Sequence, residues 1–310
     1  MRTYSGGAAR RVASPSLLGL GELARRLTAL EGQVESALGR AGDLGDAPTS
    51  LRSTVDGAVA TYVWARRWVA DQAAPYDVVA QGLDVLYRWW WRVDAHGLER
   101  IPRSGPVLVV TNRGGALLPY EVLMLAHAID QSPARAARPM VDRCIWDLPV
   151  IGSALAGLGV RVATAATVRR VLEADEAAIV YPEGADAVGK SFSERYRVKR
   201  FGRGTLLGVA IEAGAPIVPV AVIGAEEAQP TLLRVPVLGR ALGLPALPLT
   251  PTIIPLPTKW TVHVGEPLAV SAGGGRDTGV LQRVREQVRE RLQGLVTEGV
   301  RRRRSLFFGA

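Results

Sequence analysis

The spacing of apolar residues along this chain changes near Gly97. Before it, Leu17, Leu18, Leu20, Leu23, Leu27, Leu30 and Val34 recur every three or four positions and predict a helix over about 16–38. A second helix is predicted over about 51–73, with Val59, Tyr62, Val63 and Trp68 among its apolar positions. Residues 42–50, rich in Gly, Asp and Pro, read as the linker between the two. A third helical stretch, 76–92, ends in Tyr87-Arg88-Trp89-Trp90-Trp91-Arg92. Three adjacent tryptophans cannot share one helix face, so at least one is expected in the core. Trp and Arg mixed in this way also suit the headgroup zone of a bilayer.

Beyond Gly97 the runs become short and continuous. Val107-Leu108-Val109-Val110 reads as a strand buried on both faces, followed by a loop and a helix near 121–129. Strands are expected over 160–163, 177–181, 217–223 and 260–264, and helices over 168–174 and 205–213, the latter ended by Gly214. The chain closes on a helix over 279–296 with Val280, Val284, Val288, Leu292 and Leu295 as its apolar stripe. Alternating strands and helices predict an α/β fold, its sheet covered on both faces. The expected organisation is an N-terminal helical extension (1–75), partly disordered, an α/β domain (76–300) and a basic tail (301–310).

Composition narrows the chemistry. With 48% hydrophobic and 22% charged residues among 310, the chain has the make-up of a folded protein. Its single cysteine, Cys144, permits no internal disulfide and no multi-thiolate zinc site, and three scattered histidines make a resident metal unexpected. The net charge of +9 points to polyanionic partners. No nucleic-acid recognition motif accompanies that charge, so nucleic acid is not the expected partner. Arg301 to Arg304, followed by Leu306, Phe307 and Phe308, suits an anionic membrane surface, or simply a solvated tail. The longest uncharged run, 241–258, is broken by five prolines and cannot be a spanning helix. No signal peptide is evident, so the expected location is cytoplasmic, peripheral to the inner face of the cell membrane.

Two loops follow buried strands, the edge that ligands favour in α/β sheets. The first is Thr111-Asn112-Arg113-Gly114-Gly115, where Asn112, Arg113 and Gly114 could meet an anion. The second is Tyr181-Pro182-Glu183-Gly184. A cationic stretch follows, with Lys190, Arg195, Arg197, Lys199, Arg200 and Arg203 against one acid, Glu194. Such a cluster can bind a phosphorylated headgroup or coenzyme A phosphates.

Ile179-Val180-Tyr181-Pro182-Glu183-Gly184 resembles the Phe-Pro-Glu-Gly block of the phospholipid/glycerol acyltransferases, the lysophosphatidate acyltransferase-like family. Ala213-Gly214-Ala215-Pro216-Ile217-Val218-Pro219-Val220 is similar to that family's Val-Pro-Val block. Gly224-Ala225-Glu226-Glu227, Pro257-Thr258-Lys259-Trp260 and Gly265-Glu266-Pro267 resemble a bacterial branch, and Asp94-Ala95-His96-Gly97 looks like the domain's opening strand. These matches run in order through most of the chain after residue 90. The resemblance implies a mixed sheet flanked by helices. It also implies transfer of a fatty acyl group from acyl-CoA or acyl carrier protein to a lysophospholipid or other glycerolipid, with no bound cofactor.

One block departs from the family. Where the family has Asn-His, four residues and Asp, this chain has Asn112-Arg113 and then Glu121, with seven residues between. The family's histidine deprotonates the acceptor hydroxyl and its carboxylate orients the imidazole. Arginine stays protonated and cannot be that base. Arg113 and Glu121 therefore occupy the catalytic positions, His127 is the nearest substitute base, and Arg161, Glu183, Gly184, Lys190, Arg200 and Arg203 complete the expected binding set. Two functions remain open at this point: an acyltransferase, and a catalytically inactive lipid- or acyl-thioester-binding protein on the same fold.

Overall fold

The computed structural model describes residues 82–131, 135–148, 151–202, 204–241, 243–252, 255–303 and 305. The two helices and linker expected over 16–73, and Arg203 and Arg304, lie outside them. Five parallel strands make up most of a seven-stranded sheet, in the order β6-β2-β5-β3-β4 with β4 at one edge: β2 (Val107–Thr111), β3 (Ala137–Val141), β4 (Arg161–Val162), β5 (Ala177–Val180) and β6 (Ile217–Ile223). β9 (Thr261–Val264) pairs antiparallel with β6, and β1 (Asp94–His96) runs parallel to β9 at the edge. The sheet is mixed, as the resemblance implies.

Strand alternation divides the core into two layers. Val107, Val109, Ala177 and Ile179 face one side, with Val122, Leu125 and Ile129 of α1 (Tyr120–Gln131). Leu108, Val110, Ala178 and Val180 face the other. There they meet Val168 and Leu172 of α4 (Ala165–Glu173), Leu207 of α5 (Thr205–Glu212) and Val288, Leu292 and Val296 of α8 (Thr278–Arg302). Both faces of the central strands are thus apolar, which is why they read as unbroken runs rather than alternating ones. The short helices α2 (Arg143–Trp146) and α3 (Ile151–Gly157) connect β3 to β4. The helical segment over 82–90 ends in a π-helical turn, Leu86–Trp90. Of the three tryptophans, Trp91 is the buried one, stacked on Trp260 at 4.4 Å, while Trp89 is exposed.

Three departures from the sequence pattern have physical causes. β3 was not expected, because Arg138 and Pro139 interrupt its apolar run; Arg138 is held by Glu176, and the strand still takes register with β5. The proline-rich stretch contributes β8 (Leu247–Leu249), which pairs antiparallel with β7 (Leu233–Val235) just before it, the two joined through α7 (Pro236–Ala241) in a sheet of their own. Finally, α8 continues past the expected end, so Arg301 and Arg302 lie in its last turn. Arg303 folds inward against Glu227 at 2.5 Å instead of trailing into solvent. No helix among the described residues is long and apolar enough to cross a membrane.

Candidate functional site

Because β2, β3, β5 and β6 are parallel, their carboxyl ends gather Asn112–Gly115, Asp142, Tyr181–Gly184 and Gly224–Glu227 at one edge. Asn112 fastens the first loop to β6: its amide nitrogen donates to the Val222 carbonyl at 2.9 Å and its oxygen accepts the Val222 N–H at 2.8 Å. The glycines after Arg113 are required by close approach. A side chain at Gly114 would collide with the Glu121 carboxylate, and one at Gly115, where φ is +87°, would come within 2.7 Å of the Lys190 carbonyl.

Arg113 is not a surface clamp. Its side chain is 1% exposed, lies over the Tyr181 ring at 4.8 Å, and donates through Nη2 to the Ala116 and Leu117 carbonyls at 3.1 and 3.2 Å. Its Nε and Nη1 find no acceptor among the described residues. The expected partner, Glu121, is turned elsewhere. One carboxylate oxygen accepts the Gly114 N–H at 2.5 Å and the other accepts the Tyr181 hydroxyl at 3.0 Å. Burial, together with that carboxylate, holds the Tyr181 phenol well above its ordinary range. Glu121 therefore closes the first loop and orients Tyr181, rather than orienting a base.

Glu183 joins the two loops in the same way. It accepts the Arg113 N–H at 3.0 Å and the Lys199 N–H at 2.6 Å. Burial raises its pKa, offset in part by Lys190 and these amides. Gly184 adopts φ +67° beside Asp142. Lys190, expected to bind an anion, is instead 2% exposed and paired with Glu226 at 2.8 Å. Burial alone would lower the lysine, but the Glu226 and Glu183 carboxylates outweigh it and hold it above its usual value. Burial pushes Glu226 up to about 7 despite the lysine. Its second oxygen accepts the Tyr196 N–H at 2.7 Å.

The remaining expected residues scatter. Arg200 is exposed beside Lys199, and Arg161 is exposed on β4, at the outer edge of the sheet and two strands beyond β5. Arg203 is not among the described residues. His127 points at Asp84 (3.3 Å) and Gln131 (2.6 Å), about 9 Å along α1 from Glu121 at 1.5 Å per residue. His96 and His263 stack on each other at 5.3 Å on β1 and β9. None of the three stands at the strand-end loops, and no group of residues there or elsewhere among those described has the make-up of a metal site.

One residue the sequence did not single out belongs to the site. Asp142 follows β3 directly and borders a cavity of about 250 Å³ together with Tyr181, Pro182, Gly184 and the start of α5 at Gly204 and Thr205. Its Oδ2 is buried with no partner among the described residues, and burial raises its pKa, with Arg113 drawing it back down. Recognition of β3 as a strand would have marked Asp142 as a strand-end residue. α5 begins after Gly204 with no side-chain cap, and its first turn, Thr205 to Leu207, lines the cavity.

An α/β protein with two buried, hydrogen-bonded loops at the carboxyl ends of β2 and β5 is thus the class that the fold and site define. The acyltransferase family model matches residues 92–223, a span that holds β1 to β6 and both loops. An uncharacterized protein of Mycobacterium tuberculosis is 39% identical over 245 residues, covering 75% of this chain and 68% of its own. A Mycobacterium leprae relative is 38% identical, covering 75% of this chain and 66% of its own. The crystal structure of the 1-acyl-sn-glycerophosphate (LPA) acyltransferase PlsC from Thermotoga maritima is similar at a TM-score of 0.47 and 19% identity, over 93% of this chain and 97% of that one. The chain belongs to the acyltransferase family.

Proposed function

We propose that this protein binds a glycerolipid or lysophospholipid, or the acyl thioester of coenzyme A or acyl carrier protein, on the acyltransferase scaffold without transferring the acyl group. The observation that carries this reading is the occupancy of the carboxylates at the loops. Both oxygens of Glu121 and both of Glu183 accept hydrogen bonds from the protein itself. A buried guanidinium stands where the family has its imidazole. The cavity beside Gly184 supports binding, since its wall includes the uncapped start of α5, whose amides and dipole favour an anionic group.

A second reading, acyl transfer, is favoured by Asp142. The residue lines the same cavity, its buried Oδ2 has no hydrogen-bond partner among the described residues, and a carboxyl raised by burial is a better base than an ordinary one. In that case Asp142 takes the proton of the acceptor hydroxyl as its oxygen attacks the thioester carbonyl. The carbon–sulfur bond breaks, and the proton passes to the departing thiolate.

Equilibrium binding of lysophosphatidate and acyl-CoA, beside radiolabelled acyl transfer to a lysophospholipid panel, separates the two. Binding with no turnover by the unmodified protein is expected, and turnover appearing only in Arg113→His would strengthen the reading. Turnover by the unmodified protein that falls about 100-fold or more in Asp142→Asn would move the conclusion to transfer. Neither binding nor turnover would sink both.

A further inference from the structure

The β7–β8 pair is separate from the main sheet and carries apolar side chains with nothing described over them. Leu232, Leu233, Val237 and Leu249 are 63%, 59%, 69% and 43% exposed. Scattered exposed leucines need no explanation, but here Leu233 and Leu249 are direct cross-strand partners, Leu232 immediately precedes β7 and Val237 lies in the helix that follows it. The unit adjoins the site. The Phe192 N–H donates to the Thr231 carbonyl at 2.9 Å, and the Thr231 hydroxyl reaches towards the Gly115 carbonyl at 3.5 Å.

Charge selects the occupant. Residues 230–258 contain Arg234 and Arg240 and not one acid. Arg240 is exposed, and Arg195, also exposed, lies over the Phe192 ring at 4.5 Å next to the start of β7. The nearby acid, Glu194, is held by Lys199 at 3.1 Å. At the other end of the same acid-free stretch, the exposed Trp89 adjoins Trp90, whose indole N–H donates to the Pro255 carbonyl at 3.0 Å. Exposed leucine and valine side chains with exposed arginines beside them, on a stretch without an acid, match the hydrocarbon and phosphate layers of an anionic bilayer.

We infer that the β7–β8 unit, with α7, is a membrane-docking element. It seats on an anionic bilayer and holds the strand-end loops against the lipid surface. Leu232, Leu233, Val237 and Leu249 enter the hydrocarbon boundary, and Arg195 and Arg240 meet phosphates. This holds whether the site binds or transfers, because the docking surface is distinct from the cavity.

Co-sedimentation of the full chain with vesicles tests it. Phosphatidylcholine alone is compared with phosphatidylcholine mixed with phosphatidylglycerol, with no lysolipid or acyl-CoA present. The unmodified protein should prefer the anionic vesicles and release with salt. The Leu232→Ser/Leu233→Ser/Val237→Ser variant should bind about tenfold more weakly or worse. Arg240→Gln should bind about fivefold more weakly. Since these side chains are exposed, both variants should keep the parent's circular dichroism and melting temperature; if the triple variant does not, Arg240→Gln and the two vesicle types still decide. Unchanged vesicle binding by the variants overturns the inference. So does equal binding to neutral and anionic vesicles, or loss of self-association in the triple variant with vesicle binding intact, which would make the face a contact between copies. Failure here would leave the cavity reading standing, since that rests on ligand binding measured without a bilayer.

Discussion

Lys190 and Glu226 meet at 2.8 Å with side chains 1% and 2% exposed, so neither can be solvated if the other is removed. Breaking a buried pair from one side leaves an uncompensated charge, at a cost of about 3–5 kcal/mol. Glu226→Gln should therefore lower the free energy of urea unfolding by about that much. Lys190→Met combined with Glu226→Leu should recover most of the loss, because the double change removes both charges. A single-variant loss under about 1 kcal/mol would mean that water reaches the pair. The same two residues show the limit of reading charge from sequence. Lys190 opens a run of cations that looks like a binding surface, yet its partner comes from the short helix α6 (Ala225–Ala228) beyond β6, 36 positions along. Arg113 is a sharper case. The sequence marks it as a position where catalysis has changed, but not that its guanidinium turns inward over Tyr181.

At the level of elements, α8 lies close to the sheet because Gly299 has no side chain. A Cβ there would come within 2.8 Å of Ile223 on β6 and 2.9 Å of His263 on β9. Glycine in a helix interior costs about 1 kcal/mol relative to alanine, and here the close packing offsets it. Gly299→Val should lower stability by about 1–3 kcal/mol, read as a fall in melting temperature. No change would show that the helix can shift outward freely. The central strands β2, β5 and β6 were legible because burial on both faces leaves an unbroken apolar run. β3 was hidden by Arg138 and Pro139, and Asp142 was hidden with it. α8 ran past its expected end because its last turn is fixed by Gly299 against the sheet and by the Arg303–Glu227 pair, contacts that no local spacing encodes.

Across the whole molecule, buried acids set the pH response. Burial raises Asp142, Glu183 and Glu226, so the folded chain keeps protons that the unfolded chain releases. For such a group the stabilisation is complete below the unfolded pKa and is lost as pH rises through the folded one. For Glu226 that window runs from 4.5 to about 7. Its slope is at most about 1.4 kcal/mol per pH unit. The surface acids Asp84, Glu176 and Glu298 are lowered by their arginine partners and act in the opposite sense, below that window. His263, lowered by burial, also opposes within it. Unfolding free energies measured from pH 5 to 7.5 should therefore fall more steeply with pH in the parent than in Lys190→Met/Glu226→Leu. Parallel profiles would contradict this assignment.

The sequence by itself determined the α/β class, the three central strands, the two loops at their ends and the absence of the family's imidazole. Each of these is set by residues that are neighbours in the chain, through apolar runs, turn glycines and the Tyr181-Pro182-Glu183-Gly184 block. Only the tertiary structure decided which charges face a ligand. It turned Arg113 inward, used up the oxygens of Glu121 and Glu183 on backbone amides and a phenol, neutralised Lys190 with Glu226, and placed Asp142 in the wall of the cavity with a buried oxygen unpartnered among the described residues. A charge's role depends on its burial and on its nearest opposite partner. Both are fixed by segments far apart in the chain, so no local pattern can carry them.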